Sequence, residues 1–318
     1  MTPTISRRGS IATMAALAGS SLPSIALADP TPLRVALVPI WDVGPFYAAN
    51  QQGYFAAENL AVTPQVVRGG APAIAALAGG SLDIVYSNGV SIVQAIASGI
   101  DLRIIMQGVP MPPAPPDPGA LLKRKGEPLR TGKDLEGKIV GVNGLRDVTW
   151  MFVTQWLKTT GADLSKVQIV EVPLPGMVEA LKAKRVDAVL ALDPFLTTGL
   201  ADPDVEMLAW ILSHVYPAGP VAFYCVTPQM AATRPNDVRA FVRAYKRGVT
   251  WMNANAGKDV FYAFIAGFTG MNVDLVRKMN SWPAHAEIEV SSLPKLTTLM
   301  TQTGLLTSNV DLRTKIFT

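Results

Sequence analysis

The chain has 318 residues, 49% of them apolar, and a formal net charge of +4; this suffices for one large or two medium cores and is too little charge, too scattered, for a nucleic-acid surface. One cysteine, Cys225, excludes an internal disulfide, and two isolated histidines, His214 and His285, exclude a histidine/cysteine metal cluster. No G-x-S-x-G or G-x-G-x-x-G run occurs, and the one G-x-x-x-x-G-K run, Gly132 to Lys138, is followed by Ile139 where a phosphate-binding loop needs Ser or Thr, so neither an enzyme nor a cofactor is expected.

Residues 1–28 combine Arg7 and Arg8, a short apolar and small-residue core, and Ala26-Leu27-Ala28 before Asp29. These are the zones of a secretory signal cleaved near Ala28. Gly19, Ser20, Ser21 and Pro23 break the apolar core, which falls short of the roughly 20 residues a spanning helix needs. Ser6-Arg7-Arg8 with Ser10 and Ile11 resembles a twin-arginine export signal that lacks the usual bulky residue before Ile11, which leaves the export route open. Removal takes Arg7 and Arg8 away and brings the charge to +2. An exported chain without bridges must rely on its core, and Cys225, within VAFYCVT, reads as a buried, inert thiol.

The remainder reads strand 34–40, helix 45–53, strand 60–67, helix 71–79 and strand 83–87, and the same order returns at 138–142, 149–160, 167–171, 175–184 and 186–190. Val35 to Ile139 and Asp83 to Asp187 share one spacing of 104 residues, at which Pro45 meets Thr149, Phe46 meets Trp150 and Leu77 meets Leu181. The strands are short apolar runs without alternation, as parallel strands covered on both faces require, and short Gly, Asn and Pro turns join them to helices in βαβ fashion. The expected fold class is α/β, with two similar lobes, each a mostly parallel sheet flanked by helices.

Between the copies, MPPAPPDPGA (111–120) is too proline-rich for helix or central strand and reads as an extended surface loop; Lys123-Arg124-Lys125 reads as a solvated turn. SHVYPAGPVAFYCVT then supplies a second crossing. Beyond residue 235, Val238, Phe241, Val242, Tyr245, Val249 and Met252 fall at helical spacing, and further helices at 257–267, 272–280 and 291–303 return to the first lobe. Lobe one is thus expected over 31–110 plus 221–318 and lobe two over 116–212, with two crossings as a hinge and a ligand groove between them.

Ligands of open α/β sheets meet the loops beyond the carboxyl ends of the strands. Here these are WDVGP (41–45), RGGAP (68–72), YSNGV (86–90), NGLRDVT (143–149), PLPG (173–176) and LDPF (192–195). Several open helices, whose unpaired N–H groups favour an anion. Ser87, Asn88, Ser91 and Thr149 add side-chain donors, Arg146 a full positive charge, and Arg68 and Asn143 belong to the same loops. The competing reading of each polar residue is an N-cap or turn. Trp41, Phe46, Tyr86, Trp150, Phe195 and Tyr216 suggest flat apolar walls, and Asp42 and Asp193 suit an amine or a ring N–H.

The stretches VALVPIWDVGPFYAANQQGYFAAENLAVTPQVVRGG, APAIAALAGGSLDIVYSN, DLEGKIVGVNGLRDVTWMFVTQWLKTTGADLSKVQIVEV and MVEALKAKRVDAVLALDPF cover nearly all of residues 33–250. Together they resemble the periplasmic substrate-binding proteins of nitrate/sulfonate/taurine-type ABC importers (SsuA-like), which share their fold with the THI5-like (NMT1) pyrimidine-precursor proteins. The resemblance implies a two-lobed periplasmic binding protein type II fold that closes over a small solute in the periplasm and docks on an ABC importer's membrane permease. It maps Trp41 to Pro45, Ser87-Asn88-Gly89, Asn143 to Thr149 and Asp193-Pro194 as ligand-facing. Leu192-Asp193-Pro194 departs from the Trp or Tyr with Glu-Pro of many relatives, and the 111–120 segment is a second departure. The expected solute is a small organic anion, a carboxylate or sulfonate with an aromatic part, and the expected protein is a monomer. Pyrimidine-precursor binding or synthesis, and solute sensing, stay open as alternatives.

Overall fold

Apart from Met1, the computed structural model describes residues 29–38, 40–67, 69–281 and 283–318. The export signal expected over 1–28 lies outside the described residues. β1 (Thr31–Leu37) runs through a 3-10 turn at Trp41–Val43 into α1 (Gly44–Gln51) and α2 (Tyr54–Ala57), followed by β2 (Leu60–Val66), α3 (Gly70–Ala78), β3 (Ile84–Asn88), α4 (Gly89–Ala97) and β4 (Arg103–Gln107). The second series is β5 (Gly119–Arg124), β6 (Ile139–Val142), α5 (Val148–Thr159), β7 (Gln168–Glu171), α6 (Met177–Lys182), β8 (Ala188–Leu192), α7 (Phe195–Leu200), β9 (Val205–Trp210) and α8 (Leu212–Val215). Then come β10 (Ala222–Val226), α9 (Pro228–Thr233), α10 (Pro235–Asn255), α11 (Asp259–Thr269), α12 (Val273–Val276) and α13 (Leu293–Gln302). Among the described residues no helix is long and apolar enough to cross a membrane.

Two five-stranded sheets result, in the orders β2-β1-β3-β10-β4 and β7-β6-β8-β5-β9. In each the first three strands are parallel and the fourth, β10 or β5, is antiparallel to both neighbours. That fourth strand is supplied by the chain just after it has crossed from the other sheet.

The internal repeat has a physical counterpart at Asp83 and Asp187. The Asp83 amide donates to the Arg34 carbonyl at 3.0 Å and its carboxylate accepts the Arg34 amide at 2.8 Å; Asp187 does the same with Ile139, at 2.7 and 2.9 Å. A carboxylate just ahead of each inner strand thus satisfies a backbone donor that the parallel ladder leaves unpaired at its edge. Val35 pairs with Ile84 and Val140 with Ala188. So Val140, not Ile139, is the counterpart of Val35, and the repeat slips by one residue between its first and third strands.

Three local expectations are corrected. Lys123 and Arg124 are not a solvated turn: they end β5, where Lys123 is 8% exposed and pairs with Glu206 at 2.9 Å. The 111–120 segment is exposed only over 113–116, while Asp117 is buried and its Oδ2 accepts the Leu212 and Ser213 amides at 2.8 and 3.1 Å. The Met111 amide donates to Gly219 at 3.0 Å, so the two crossings are bonded to one another. Finally, α10 covers the first sheet by packing on α1, α2 and β2, but α13 rests on both α4 and α5. One buried cluster therefore runs from Val85 and Phe223 through Val93, Leu296 and Phe152 to Val140 and Leu190 of the second sheet.

Candidate functional site

The carboxyl ends of both sheets face a shared cavity. The first sheet contributes Ile40, Trp41 and Asp42 after β1, Gly69 and Gly70 after β2, Asn88 at the end of β3, and Val109 and Met111 after β4. The second contributes Asn143, Asp147, Thr149 and Phe152 after β6, Leu174 after β7, and Leu192 and Asp193 at the end of β8. The cavity volume is about 90 Å³, room for several waters or one small molecule. Across the cavity the Trp41 amide donates to the Asp193 carbonyl at 3.3 Å, which fixes the two loops together. Past Gly69, Asn88, Asn143 and Asp147 the cavity continues into a wider groove bordered by Gln94, Arg146 and Leu305.

Three carboxyl groups stand on this lining. Asp42 is buried, its two oxygens accepting from the Tyr86 hydroxyl and the Val109 amide, and Gly108 leaves the space it needs: a Cβ there would fall 2.6 Å from Asp42 Oδ1. Burial pushes the Asp42 carboxyl up to about 7 against the opposing pull of those two donors. Asp193 is 2% exposed; its Oδ1 accepts from the Thr197 amide at 3.0 Å and the Thr197 hydroxyl at 2.7 Å, and Oδ2 has no hydrogen-bond partner. Burial raises that carboxyl to about 6, partly offset by Thr197. Asp147 caps α5, accepting from the Thr149 amide and hydroxyl and the Trp150 amide at 2.8, 2.6 and 3.1 Å, and burial raises its carboxyl as well. No lysine or arginine is among the described lining residues.

Of the residues singled out from sequence, Trp41, Asp42, Tyr86, Asn88, Asn143, Thr149 and Asp193 line the cavity. Ser87 points to the opposite face of its strand and is fully buried, where a Cβ on Gly70 would fall 2.2 Å from its hydroxyl. Phe46 lies in the core of the first sheet against Phe55 and Phe241. Tyr216 is buried in a crossing and donates to the Ser292 carbonyl at 3.0 Å. Arg146, at φ +60°, turns toward the groove: its guanidinium donates to Gly304 at 3.1 Å and lies 6.0 Å from the Trp150 ring, while its carbonyl accepts from Gln94 at 3.2 Å. Arg68 lies outside the described residues.

Two helix starts expected to hold an anion already hold the chain's own oxygens. The α5 amides go to Asp147, and Ser91 of α4 donates to Asn88 Oδ1 at 2.9 Å. Thr149 Oγ1 is likewise engaged, donating to Asp147 and accepting from the Asn143 amide at 3.2 Å. Asp147 was passed over from sequence, although an aspartate two residues ahead of Thr149 and just before an apolar helix carries the N-cap signature. Phe152 gave no such sign, since its helix is apolar on several faces. Among the described residues no group of three or more His, Cys, Asp or Glu is placed to hold a metal ion.

A family model described as NMT1/THI5 like matches residues 41–257. The chain superposes on the alkanesulfonate-binding protein SsuA from Xanthomonas axonopodis pv. citri bound to MOPS with a TM-score of 0.75 at 18% identity, over 91% of this chain and 99% of that one. It superposes on the periplasmic nitrate-binding protein NrtA from Synechocystis PCC 6803 with a TM-score of 0.74 at 11% identity, over 89% and 84%. The desulfurization enzyme DSZB matches with a TM-score of 0.65 at 13% identity, over 90% and 96%. At these identities the likeness establishes the periplasmic binding protein fold. No curated protein sequence matches.

Proposed function

Because the chain belongs to the NMT1/THI5 like family, we propose that it captures a small solute in the periplasm between two closing lobes and delivers it to the membrane permease of an ABC importer. Residues 31–110 with 221–318 form one lobe and 116–212 the other, and Trp41, Asp42, Tyr86, Asn88, Asn143, Thr149 and Asp193 face the solute. Phe46, Ser87, Trp150 and Tyr216 act by supporting those walls, and Arg146 by tying the lobes at the groove. The protein works as a monomer, exported with its leader cleaved near Ala28.

The observation that carries this reading is the position of the cavity: it sits where the carboxyl ends of two sheets meet, with lining supplied almost equally by both. Such a site is complete only when the halves come together, so filling it favours the closed arrangement by the solute's differential affinity. A catalytic reading finds less support. His214 and His285 are exposed and outside the lining, and Cys225 is buried in β10 with its thiol pushed up by burial, away from the nucleophilic form.

Native mass spectrometry of the periplasmic fraction, purified without refolding, tests the proposal. A chain beginning near Asp29 with one small molecule retained per monomer is the expected result, together with a smaller radius of gyration in the filled than in the emptied protein. A full-length cytoplasmic chain, or equal scattering profiles with and without the retained molecule, would count against it.

A further inference from the structure

We infer that the solute is a small organic cation, an apolar body carrying a protonated amine, which the Asp193 carboxylate and the aromatic walls hold; the inference rests on the solute-capture reading. Its first support is an unmade bond. Asp193 lines the cavity; its Oδ1 accepts twice from Thr197, whereas its Oδ2 is buried and has no hydrogen-bond partner. A buried acceptor left this way is costly until something donates to it, and a carboxylate takes a charged N–H donor best. The second support is the sign of the lining: Asp42, Asp147 and Asp193 stand on it, with no lysine or arginine among its described residues. An anion placed there would meet three carboxyls, and of the helix starts on the lining those of α5 and α4 already give amides to Asp147 and Asn88, while that of α3 at Gly70 carries no side-chain cap.

The third support is the wall chemistry. Trp41, Tyr86 and Phe152 line the same cavity, and the faces of such rings attract an ammonium group by their quadrupole. The remaining walls, including Val109, Met111, Leu174 and Leu192, suit an apolar body. Carboxylate, aromatic faces and an apolar remainder form one consistent set for a compact amine.

The experiment is calorimetric titration of the full mature chain, emptied of retained solute by dialysis, with four matched probes at pH 7.5. These are benzylamine, benzyl alcohol, benzoate and benzenesulfonate. Benzylamine should bind at least about tenfold more tightly than the other three, the ratio expected for one charge-assisted hydrogen bond in a dry site. Asp193→Asn keeps the Oδ1 acceptor that Thr197 needs and replaces the free oxygen with a donor, so it should remove that preference while leaving the melting temperature near wild type. Tighter binding of benzoate or benzenesulfonate, equal binding of benzyl alcohol, or an unchanged preference in Asp193→Asn would each overturn the cation proposal while leaving solute capture standing. Failure of all four probes, in a protein that also retains no molecule after purification, would remove solute capture itself and this inference with it.

Discussion

The Trp41 indole meets the Phe261 ring edge-on, with centroids 5.6 Å apart and planes at 70°. This contact holds Trp41 as a partition: on one side lies the cavity shared by the two sheets, on the other a second cavity lined by Val109, Met252, Phe261 and Ala284. A ring in that position senses what fills the cleft. Solute binding should therefore change tryptophan emission, and Trp41→Phe should remove most of that change while leaving the signal of the other tryptophans. Trp41→Ala, which opens the wall, should weaken binding by about fivefold to tenfold. A full emission change retained in Trp41→Phe would place the solute elsewhere.

Asp42 makes the empty protein sensitive to pH in a direction opposite to most of its surface carboxylates. Burial holds its carboxyl at about 7 against an ordinary 3.8, and that of Asp193 at about 6 against the same value. A carboxyl that is protonated when folded and ionised when unfolded stabilises the fold fully below 3.8. That contribution is lost as pH rises through about 6 for Asp193 and about 7 for Asp42. Tyr86, Tyr224 and Tyr245 surround Asp42, and their hydroxyls, raised by burial, stay protonated throughout. The difference in melting temperature between Asp42→Asn and wild type should accordingly move in favour of the variant as pH rises from about 4 to about 7, with surface ion pairs cancelling in the subtraction. Parallel curves would mean that Asp42 is solvated in the empty protein.

Much of this arrangement was legible before any coordinates. The strands around Asp83 and Asp187 announce themselves because parallel inner strands are apolar on both faces, and β3 and β8 keep the 104-residue spacing. What escaped did so for local reasons. β5 ends in Lys123-Arg124, charges that suggest solvent, yet their heads reach Glu206, Glu127 and Asp187 at the rim while their stems pack inward. α4 follows β3 without a loop, since Asn88 ends the strand and caps the helix at once, so YSNGV reads as a turn. Which loops line the cavity was legible, but not which side chains: Ser87 and Asn88 are adjacent, and strand alternation sends one into the core and the other into the cleft. Whether the helix-start amides are free was the least legible feature, because only the capping geometry reveals it.

The arginines that clamp Asp83 and Asp187 should differ in strength. Arg34 bonds Asp83 and the Gly80 carbonyl with its side chain 43% exposed. Arg124, 14% exposed, bonds Asp187, Glu127 and the carbonyls of Leu181 and Val186 at 3.1 and 2.7 Å. Removing Arg124 takes a donor from two carbonyls and the counter-charge from two partly exposed carboxylates, and Arg124→Ala should lower unfolding free energy by about 1–3 kcal/mol. Arg34→Ala should cost distinctly less, because water replaces an exposed guanidinium. Urea unfolding of both variants decides the order; an equal loss would show that exposure does not set the strength of these two clamps.

A glycine couples the long C-terminal helix to the site. At Gly248 of α10 a Cβ would fall 2.1 Å from the Pro45 carbonyl oxygen and 3.0 Å from the Ala49 amide nitrogen, both backbone atoms of α1 that cannot rotate away. α1 begins directly after Trp41 and Asp42, so any separation of the helices is transmitted to the cavity wall. Gly248→Ala should destabilise the protein by about 1–3 kcal/mol, the usual penalty of forcing a methyl into a filled contact, and should weaken solute binding in the same variant. Gly267, on α11, is the matched control: a Cβ there meets nothing within 4 Å. Gly267→Ala should raise stability by about 0.5–1 kcal/mol through helix propensity alone and leave affinity unchanged. If the two substitutions gave the same unfolding midpoint, the close crossing of α1 and α10 would not be what fixes the Trp41 loop, and the coupling from that helix pair to the cleft would have to be abandoned.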